Sequence, residues 1–381
     1  MNYVRILQTS FYNLFLNEGG GVEQVIYNLA KNLNDKGHEV DITCLGDSDG
    51  IIKTKFGNLY TFKVPEFKRF GKLSIFLKKA LYNNKLEKFI NKNGPNYDVI
   101  HIHGDIGGFK ELTRFNTILT LHGFSMQTHK DRNLLDRAFI RVTSGRAEIN
   151  NMKYSKKIVA VSNNVKSFAS KYTRKKIEVL YNGIDTNIYT PVSAAEKIKI
   201  RHKLGFKDGA IYLLFVGGDA YRKGLDIAID VVRLLNMKNV YLNIISIGKQ
   251  NRHVSDFIRF IGRVSESEKI KYYQASDIFI LPSRGEGFAL APLEAMGCGL
   301  PCIVSGYTGT NEIIINNRDG IIIYDFNMQN YATALERLVS NVKSIRSMSR
   351  ASRTTALKYN CAKMAREYYE LYKISAEEQR I

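Results

Sequence analysis

Apolar positions along the chain fall into two kinds of run. Short blocks rich in Val and Ile occupy residues 4–7, 40–45, 99–103, 118–121 and 158–162, and a second series occupies 211–216, 242–247, 278–281 and 302–305. Blocks of this length, bounded by turn signals, predict buried strands. Between them, segments such as 22–34 and 226–235 repeat apolar residues at helical spacing and predict amphipathic helices. Strand–helix alternation predicts the α/β class, with parallel sheets covered on both faces. The two series meet near residues 186–196, where the Asn182-Gly183 turn is followed by Thr190-Pro191 and a polar stretch. At 381 residues the chain exceeds the ~250–300 at which one core stops growing. Two doubly wound domains are therefore expected, over residues 1–188 and 189–361. Residues 351–381 have a helical composition and no strand signal.

Composition narrows the function. No run approaches 18 consecutive apolar residues, so no spanning helix is expected, and the short polar start reads as a first strand rather than a leader. A cytoplasmic protein is the resulting expectation. Cys44, Cys298, Cys302 and Cys361 form no C-x-x-C pair and read as reduced, buried thiols rather than disulfides or a zinc site. The formal charge of +20 calls for an anionic partner: nucleic acid, an acidic membrane or a phosphorylated substrate. Residues 51–92 hold eleven Lys or Arg against two Glu. Within them, the mixture of aromatic, aliphatic and basic residues over 67–81 suits a helix lying on an anionic membrane. Lys68, Arg69, Lys72, Lys78 and Lys79 are its candidate membrane or acceptor surface; an amphipathic helix with a solvated basic face is the other reading.

Open parallel sheets bind ligands beyond the carboxyl ends of their strands. After the first strand comes Glu18-Gly19-Gly20-Gly21-Val22-Glu23, a glycine turn entering a helix, where backbone N–H groups suit a phosphate or sugar oxygen. Neither G-x-G-x-x-G nor Walker spacing is present, which argues against a dinucleotide fold or an NTPase. His101, His103 and His122 stand at strand ends and suit donation to sugar hydroxyls or phosphate, His122 beside Gly123 best of all. In the second half, Gly217-Gly218-Asp219 follows a strand and precedes Tyr221-Arg222-Lys223-Gly224, placing a fork-shaped and a point cation at the entry of a helix. Such a group fits a diphosphate. Ser283 to Gly297 then puts Glu286 in a loop and Glu294 in a short helix opened by Pro292. The N–H groups of residues 287–291 would face an anionic ligand. Two carboxylates also serve glycoside hydrolysis, but the cations and glycine loops fit a charged leaving group better.

Glu286 to Glu294, in the setting E-G-F-x-L-x-x-L-E-A-M-x-x-G-x-P, resembles the E-x7-E signature of family 4 of the glycosyltransferases. The N-terminal GGG-V-E loop, Leu121-His122-Gly123, Tyr181-Asn182-Gly183-Ile184-Asp185, Arg222-Lys223-Gly224, Gly262 to Val264 and Asn311-Glu312-Ile313 agree as well. The resemblance covers essentially the whole chain. It implies the GT-B fold, with two Rossmann-like doubly wound domains facing across a cleft, the last helix (362–381) crossing back onto the N-terminal domain and a hinge near Pro191. It implies a retaining transfer of a hexose-type sugar from a nucleotide-diphosphate donor to a glycan or lipid-linked acceptor, in cell-envelope or glycoconjugate biosynthesis, with no metal or other cofactor. Arg222 and Lys223 would grip the pyrophosphate, Glu286 the transferred sugar and Glu294 the ribose. Backbone groups at Phe288, Ala289 and Leu290 would hold the donor together with Gly20, Gly21, Asn182 and Gly217, and His122 would lie beside the reacting sugar. Gly218 departs from the family, many members of which carry an Arg there, and Arg222 is the expected substitute.

Asp47-Ser48-Asp49 mimics a metal-binding D-x-D but reads as a polar turn. A nucleotide-sugar epimerase or a glycan phosphorylase is the alternative on the same fold. A basic nucleic-acid-binding protein would answer the charge, but no recognisable binding motif supports it. Association with the inner face of a membrane is the further expectation from the basic segment.

Overall fold

A computed structural model describes residues 3–13, 20–67, 69, 73–128, 134–218, 221–235, 240–245 and 257–380. They form two compact units, Met1–Asn182 with Cys361–Ile381, and Gly183–Asn360.

The first unit is built on an eight-stranded sheet. Its strands are β1 (Arg5–Thr9), β2 (Glu39–Leu45), β3 (Gly50–Lys53), β4 (Asn58–Phe62), β5 (Val99–His103), β6 (Thr117–Leu121), β7 (Lys157–Ala160) and β8 (Ile177–Val179). Their order is β3-β4-β2-β1-β5-β6-β7-β8, parallel throughout except for β3 against β4. All five residues of β5 and of β6 are buried, as expected where both faces are covered. The helix Gly21–Asn34 turns Val25, Ile26, Leu29, Ala30 and Leu33 inward, one stripe at helical spacing.

The closing helix Cys361–Arg380 belongs to this unit. Its residues Tyr368, Tyr372 and Ser375 share a face and hydrogen-bond the sheet. Tyr372 Oη lies 2.7 Å from His101 Nδ1, Tyr368 Oη lies 3.0 Å from Thr120 Oγ1, and Ser375 Oγ donates to Asn116 Oδ1. The His38 ring stacks on Tyr369 at 4.6 Å between centroids. A tail with no strand signal is thus held by polar contacts inside an apolar contact.

The second unit carries a six-stranded, wholly parallel sheet of β9 (Ile211–Val216), β10 (Val240–Ile245), β11 (Ile258–Gly262), β12 (Ile278–Leu281), β13 (Cys302–Ser305) and β14 (Gly320–Ile323). Their order is β11-β10-β9-β12-β13-β14. The chain enters this unit at Gly183 and leaves it at Asn360, so the boundary lies in the Asn182-Gly183 turn rather than at residues 188/189. Arg353 explains the difference. Its guanidinium donates to the carbonyls of Thr186 (3.0 Å), Tyr189 (2.6 Å) and Gly297 (2.7 Å), fastening the 186–189 stretch to the second unit. The side chain of Pro191, placed near a hinge by the sequence, packs beside Gly299 in this same unit.

Tyr372→Phe leaves the fully buried His101 Nδ1 without its partner, which costs about 1–3 kcal/mol. Urea unfolding should show a correspondingly lower midpoint; an unchanged midpoint contradicts the anchoring role of this helix.

Candidate active site

Arg222 and Lys223 lie in the loop between β9 and the helix Leu225–Leu235, and Glu286 in the loop after β12, an adjacent strand. The parallel sheet therefore delivers both loops to its carboxyl end. There Arg222 Nη1 stands 2.9 Å and Lys223 Nζ 3.1 Å from the same oxygen, Glu286 Oε1. All three side chains are largely buried. Burial alone would raise the Glu286 carboxyl, but Lys223 and then Arg222 outweigh it and hold the group below the usual range. It stays ionised at neutral pH.

The backbone around this group is fixed. Arg222 Nη1 donates to the Gly285 carbonyl at 3.0 Å, while the Arg222 carbonyl accepts from the Arg284 amide (2.7 Å) and Ser283 Oγ (3.1 Å). The two loops are laced together across β9 and β12. Gly217 has no room for a side chain, because the Lys223 stem runs where a Cβ would sit. Gly224 adopts φ +73°, and any Cβ there would overlap the Pro282 carbonyl. Arg284 braces the outside, pairing with both oxygens of Asp226 at 2.9 and 2.6 Å. The sequence did not single out this arginine, and its partner 58 residues away carries no motif.

Glu294 points elsewhere. The helix Leu290–Gly297 buries it at 4% exposure, where Tyr273 Oη donates to it at 2.8 Å and Lys269 Nζ pairs at 3.3 Å. Lys269 also pairs with Glu266 at 2.9 Å, and Tyr189 Oη donates to Glu266. One lysine thus serves two carboxylates; burial opposes its charge, but Glu294 and Glu266 raise its pKa on balance. Ala289 caps the helix and its carbonyl accepts from Thr310 Oγ1 at 2.9 Å, with Phe288 and Leu290 buried on either side.

In the first unit, His122 follows β6 and His103 ends β5. Their Nε2 and Nδ1 atoms are 2.8 Å apart, so one ring donates and the other accepts. His101, its ring tilted against that of His103 at 3.9 Å between centroids, is closed by Tyr372 and Thr120. Burial pulls His122 down to about 4, and burial together with the neighbouring rings holds His101 and His103 well below the ordinary value. All three are neutral at pH 7. The buried Glu148 accepts from the amide (3.0 Å) and Oγ (2.8 Å) of Ser125, three residues beyond His122, pinning the loop that carries the histidine. Burial, then the nearby Asp105, pushes its carboxyl up to about 8. Glu148 was not anticipated, since it sits in a helix with no motif around it.

Other expected residues are placed differently. Gly20 N–H donates to the Glu23 carboxylate at 2.7 Å, so that amide caps its own helix rather than facing a ligand; Gly21 is the first helical residue. Asn182 ends the first unit, and its Oδ1 has no hydrogen-bond partner among the described residues. Lys68 and Lys72, like Glu18, Gly19 and Asp219, lie outside the described residues. Arg69 is exposed. Lys78 pairs with Glu66, and Lys79 turns toward Asp105, 2.6 and 2.8 Å from its two oxygens, so neither presents an unpaired charge to a membrane. Asp49 accepts from the Lys63 amide (2.7 Å) and pairs with Lys85 (2.7 Å), which makes the D-x-D stretch a closed turn. Among the described residues no helix is long and apolar enough to cross a membrane.

Comparison with known proteins adds the family context. Residues 19–188 match the model for Glycosyltransferase Family 4, and residues 196–355 match that for Glycosyl transferases group 1. An uncharacterized glycosyltransferase of Methanocaldococcus jannaschii is 27% identical, over 94% of this chain and 95% of its own. The UDP-Gal:alpha-D-GlcNAc-diphosphoundecaprenol alpha-1,3-galactosyltransferase of Escherichia coli is 26% identical, over 72% of this chain and 75% of its own. Among solved structures, sucrose-phosphate synthase from Thermosynechococcus elongatus aligns with a TM-score of 0.83 at 17% identity, covering 97% of this chain and 98% of that one. The likeness shows the fold, GT-B, with two parallel-sheet α/β domains.

The neutral histidines set a pH dependence. Their folded pKa values lie below the unfolded value of about 6.5, so the unfolded chain takes up protons first as pH falls. Their contribution is complete above about pH 6.5 and is lost toward pH 4. His122→Asn should flatten part of the fall in thermal midpoint over that window. A wild-type and variant difference that does not change with pH contradicts the assignment.

Proposed function

The chain belongs to glycosyltransferase family 4, and from that premise we propose that it transfers a hexose-type sugar, with retention at the anomeric carbon, from a nucleotide-diphosphate sugar to a glycan or lipid-linked acceptor in glycoconjugate biosynthesis. One observation carries the reading of the site: two cations converge on one buried carboxylate oxygen at the carboxyl ends of the central strands of the second sheet. The name of the Escherichia coli relative, with its UDP-linked sugar and diphosphoundecaprenol-linked acceptor, supports the substrate classes.

In this reading the acceptor hydroxyl oxygen approaches the anomeric carbon from the face that the leaving group vacates. The bond from that carbon to the phosphate oxygen breaks, and its electron pair goes to the phosphate. The acceptor proton passes to the same phosphate oxygen. Lys223 and Arg222 take up the developing charge, one as a point cation and the other as a fork, so no metal is required for that task. Glu286 shares those cations with the arriving diphosphate and turns its other oxygen to sugar hydroxyls. His122, neutral, hydrogen-bonds the sugar without adding a charge beside an oxocarbenium-like centre. Glu294 holds the ribose, oriented by its Lys269 and Tyr273 contacts.

Lys223→Ala should lower kcat by about a hundredfold to a thousandfold with a smaller change in donor affinity, because the charge it meets develops during transfer. Near-normal turnover contradicts its role. Glu294→Ala should instead weaken donor binding about tenfold, measured by titration calorimetry, and unchanged affinity contradicts the ribose contact. The function itself is tested by a thermal-shift panel of UDP-, GDP-, ADP- and CMP-sugars, followed by proton NMR of the product formed with the stabilising donor. A midpoint raised by one nucleotide class and a product of unchanged anomeric configuration are expected. No stabilisation by any, or an inverted product, overturns the reading.

A further inference from the structure

In the first unit, the helix Leu134–Ile140 buries none of its residues. Leu134, Leu135 and the nearby Val142 are 79, 83 and 65% exposed. Isolated apolar side chains on a surface need no explanation, but a cluster of large ones beside a concavity marks a contact site. The concavity is present: a groove of about 470 Å³ whose apolar wall is Met126, Leu134, Ile140, Phe168 and Tyr172. Its aromatic side is rigid, since Tyr172 stacks on the buried Phe124 at 5.2 Å and meets Phe168 at 5.7 Å. A π-helical turn, Arg141–Gly145, follows the helix, with Gly145 close against Met126.

Arg137 and Arg141 complete the lining. They stand four apart in sequence, on one side of the helical stretch, where like charges repel. Neither makes an ion pair among the described residues. The site therefore offers hydrocarbon contact and two unneutralised forks suited to phosphate. One wall residue, Met126, is four residues beyond His122 and next to Ser125, which Glu148 pins. The basic helix Leu73–Asn93 adjoins the groove through Phe76, edge-on to Phe139 at 6.1 Å.

We propose that this groove binds the hydrocarbon chain of a phosphate-bearing lipid, with the phosphate on Arg137 and Arg141, and that this lipid is the acceptor. The second half rests on the transferase reading above; the binding itself does not. Apolar burial fixes the chain and the arginines fix the headgroup, so the groove reads an amphiphile rather than a bilayer surface. It holds one chain per molecule.

Calorimetric titration with dodecyl phosphate below its micelle concentration tests this, with dodecyl maltoside and inorganic phosphate as controls. One-to-one binding of dodecyl phosphate, at least tenfold tighter than either control, is expected, with affinity rising about threefold to fourfold per added methylene. Ala138→Trp, which fills the groove from an exposed helical position, should abolish binding, and Arg137→Ala with Arg141→Ala should weaken it at least tenfold. The arginine variant keeps the test open if the tryptophan disturbs folding. Equal binding of dodecyl maltoside overturns the phosphate contact. Binding only to phosphatidylglycerol vesicles, or a dimer that Ala138→Trp dissolves without any dodecyl phosphate binding, overturns the proposal. Nucleotide-sugar stabilisation measured on the same samples separates the two readings: its persistence when lipid binding fails rejects the groove alone, and its absence when lipid binding holds rejects the transferase reading.

Discussion

A desolvated carboxylate between two cations governs the second unit. Glu286 is tolerated as an anion in its loop only because Lys223 and Arg222 meet it; Arg222 is held by the Gly285 carbonyl and the Lys223 stem runs against Gly217. Ordered loops on neighbouring parallel strands deliver the three groups together. The glycines follow from the same constraint: Gly217 is bare because Lys223 crosses it, and Gly224 is bare because Pro282 leaves no space. Removing one partner of such a group leaves the others charged and buried, which is costlier than never having built it. The group is a structural clasp between loops, and in the proposed transfer it would serve as a fixed cationic field for the departing phosphate, with no reorganisation at the moment of transfer.

The first unit solves a different problem with neutral groups. Three histidines sit close together in or just after β5 and β6, and burial, reinforced for His101 and His103 by the neighbouring rings, keeps them uncharged. Hydrogen bonds with Tyr372 and Thr120 close the innermost ring, and the closing helix supplies the tyrosine. The closing helix thus holds the innermost histidine of the group that His122 completes, while remaining far from it in sequence. Glu148 pins the loop that carries His122 from another direction, through Ser125. The chemistry assigned to each unit matches its dielectric: paired charge in the second, neutral donors and acceptors in the first.

Much of this was legible in the sequence, and for identifiable reasons. Strands buried on both faces read as continuous apolar blocks, so β1, β2, β5, β6, β7, β9, β10, β12 and β13 are visible from pattern alone. The five other strands are short or at or near sheet edges; β3, for example, is four residues long and exposed throughout, leaving no periodicity to read. Arg222, Lys223 and Glu286 were legible because each follows a strand in a glycine-rich loop, and parallel topology brings such loops together. Lys79 was misread as surface because its partner, Asp105, lies 26 residues away in sequence and only the fold joins them. Gly20 was read as an open amide because the Glu23 that occupies it looks, in sequence, like an ordinary helix-opening acid. The domain boundary was displaced by a few residues for the same kind of reason, since Arg353 reaches back 167 residues to Thr186.

The central claim is that the Lys223–Arg222–Glu286 group is the seat of the donor diphosphate. A crystal structure with a bound nucleoside diphosphate tests it most directly. The account predicts diphosphate oxygens within hydrogen-bonding distance of Lys223 Nζ and the Arg222 guanidinium, with the Glu286 contacts to both cations shared or lengthened. A diphosphate bound elsewhere, with Glu286 still held by both cations at the distances seen here, would contradict it.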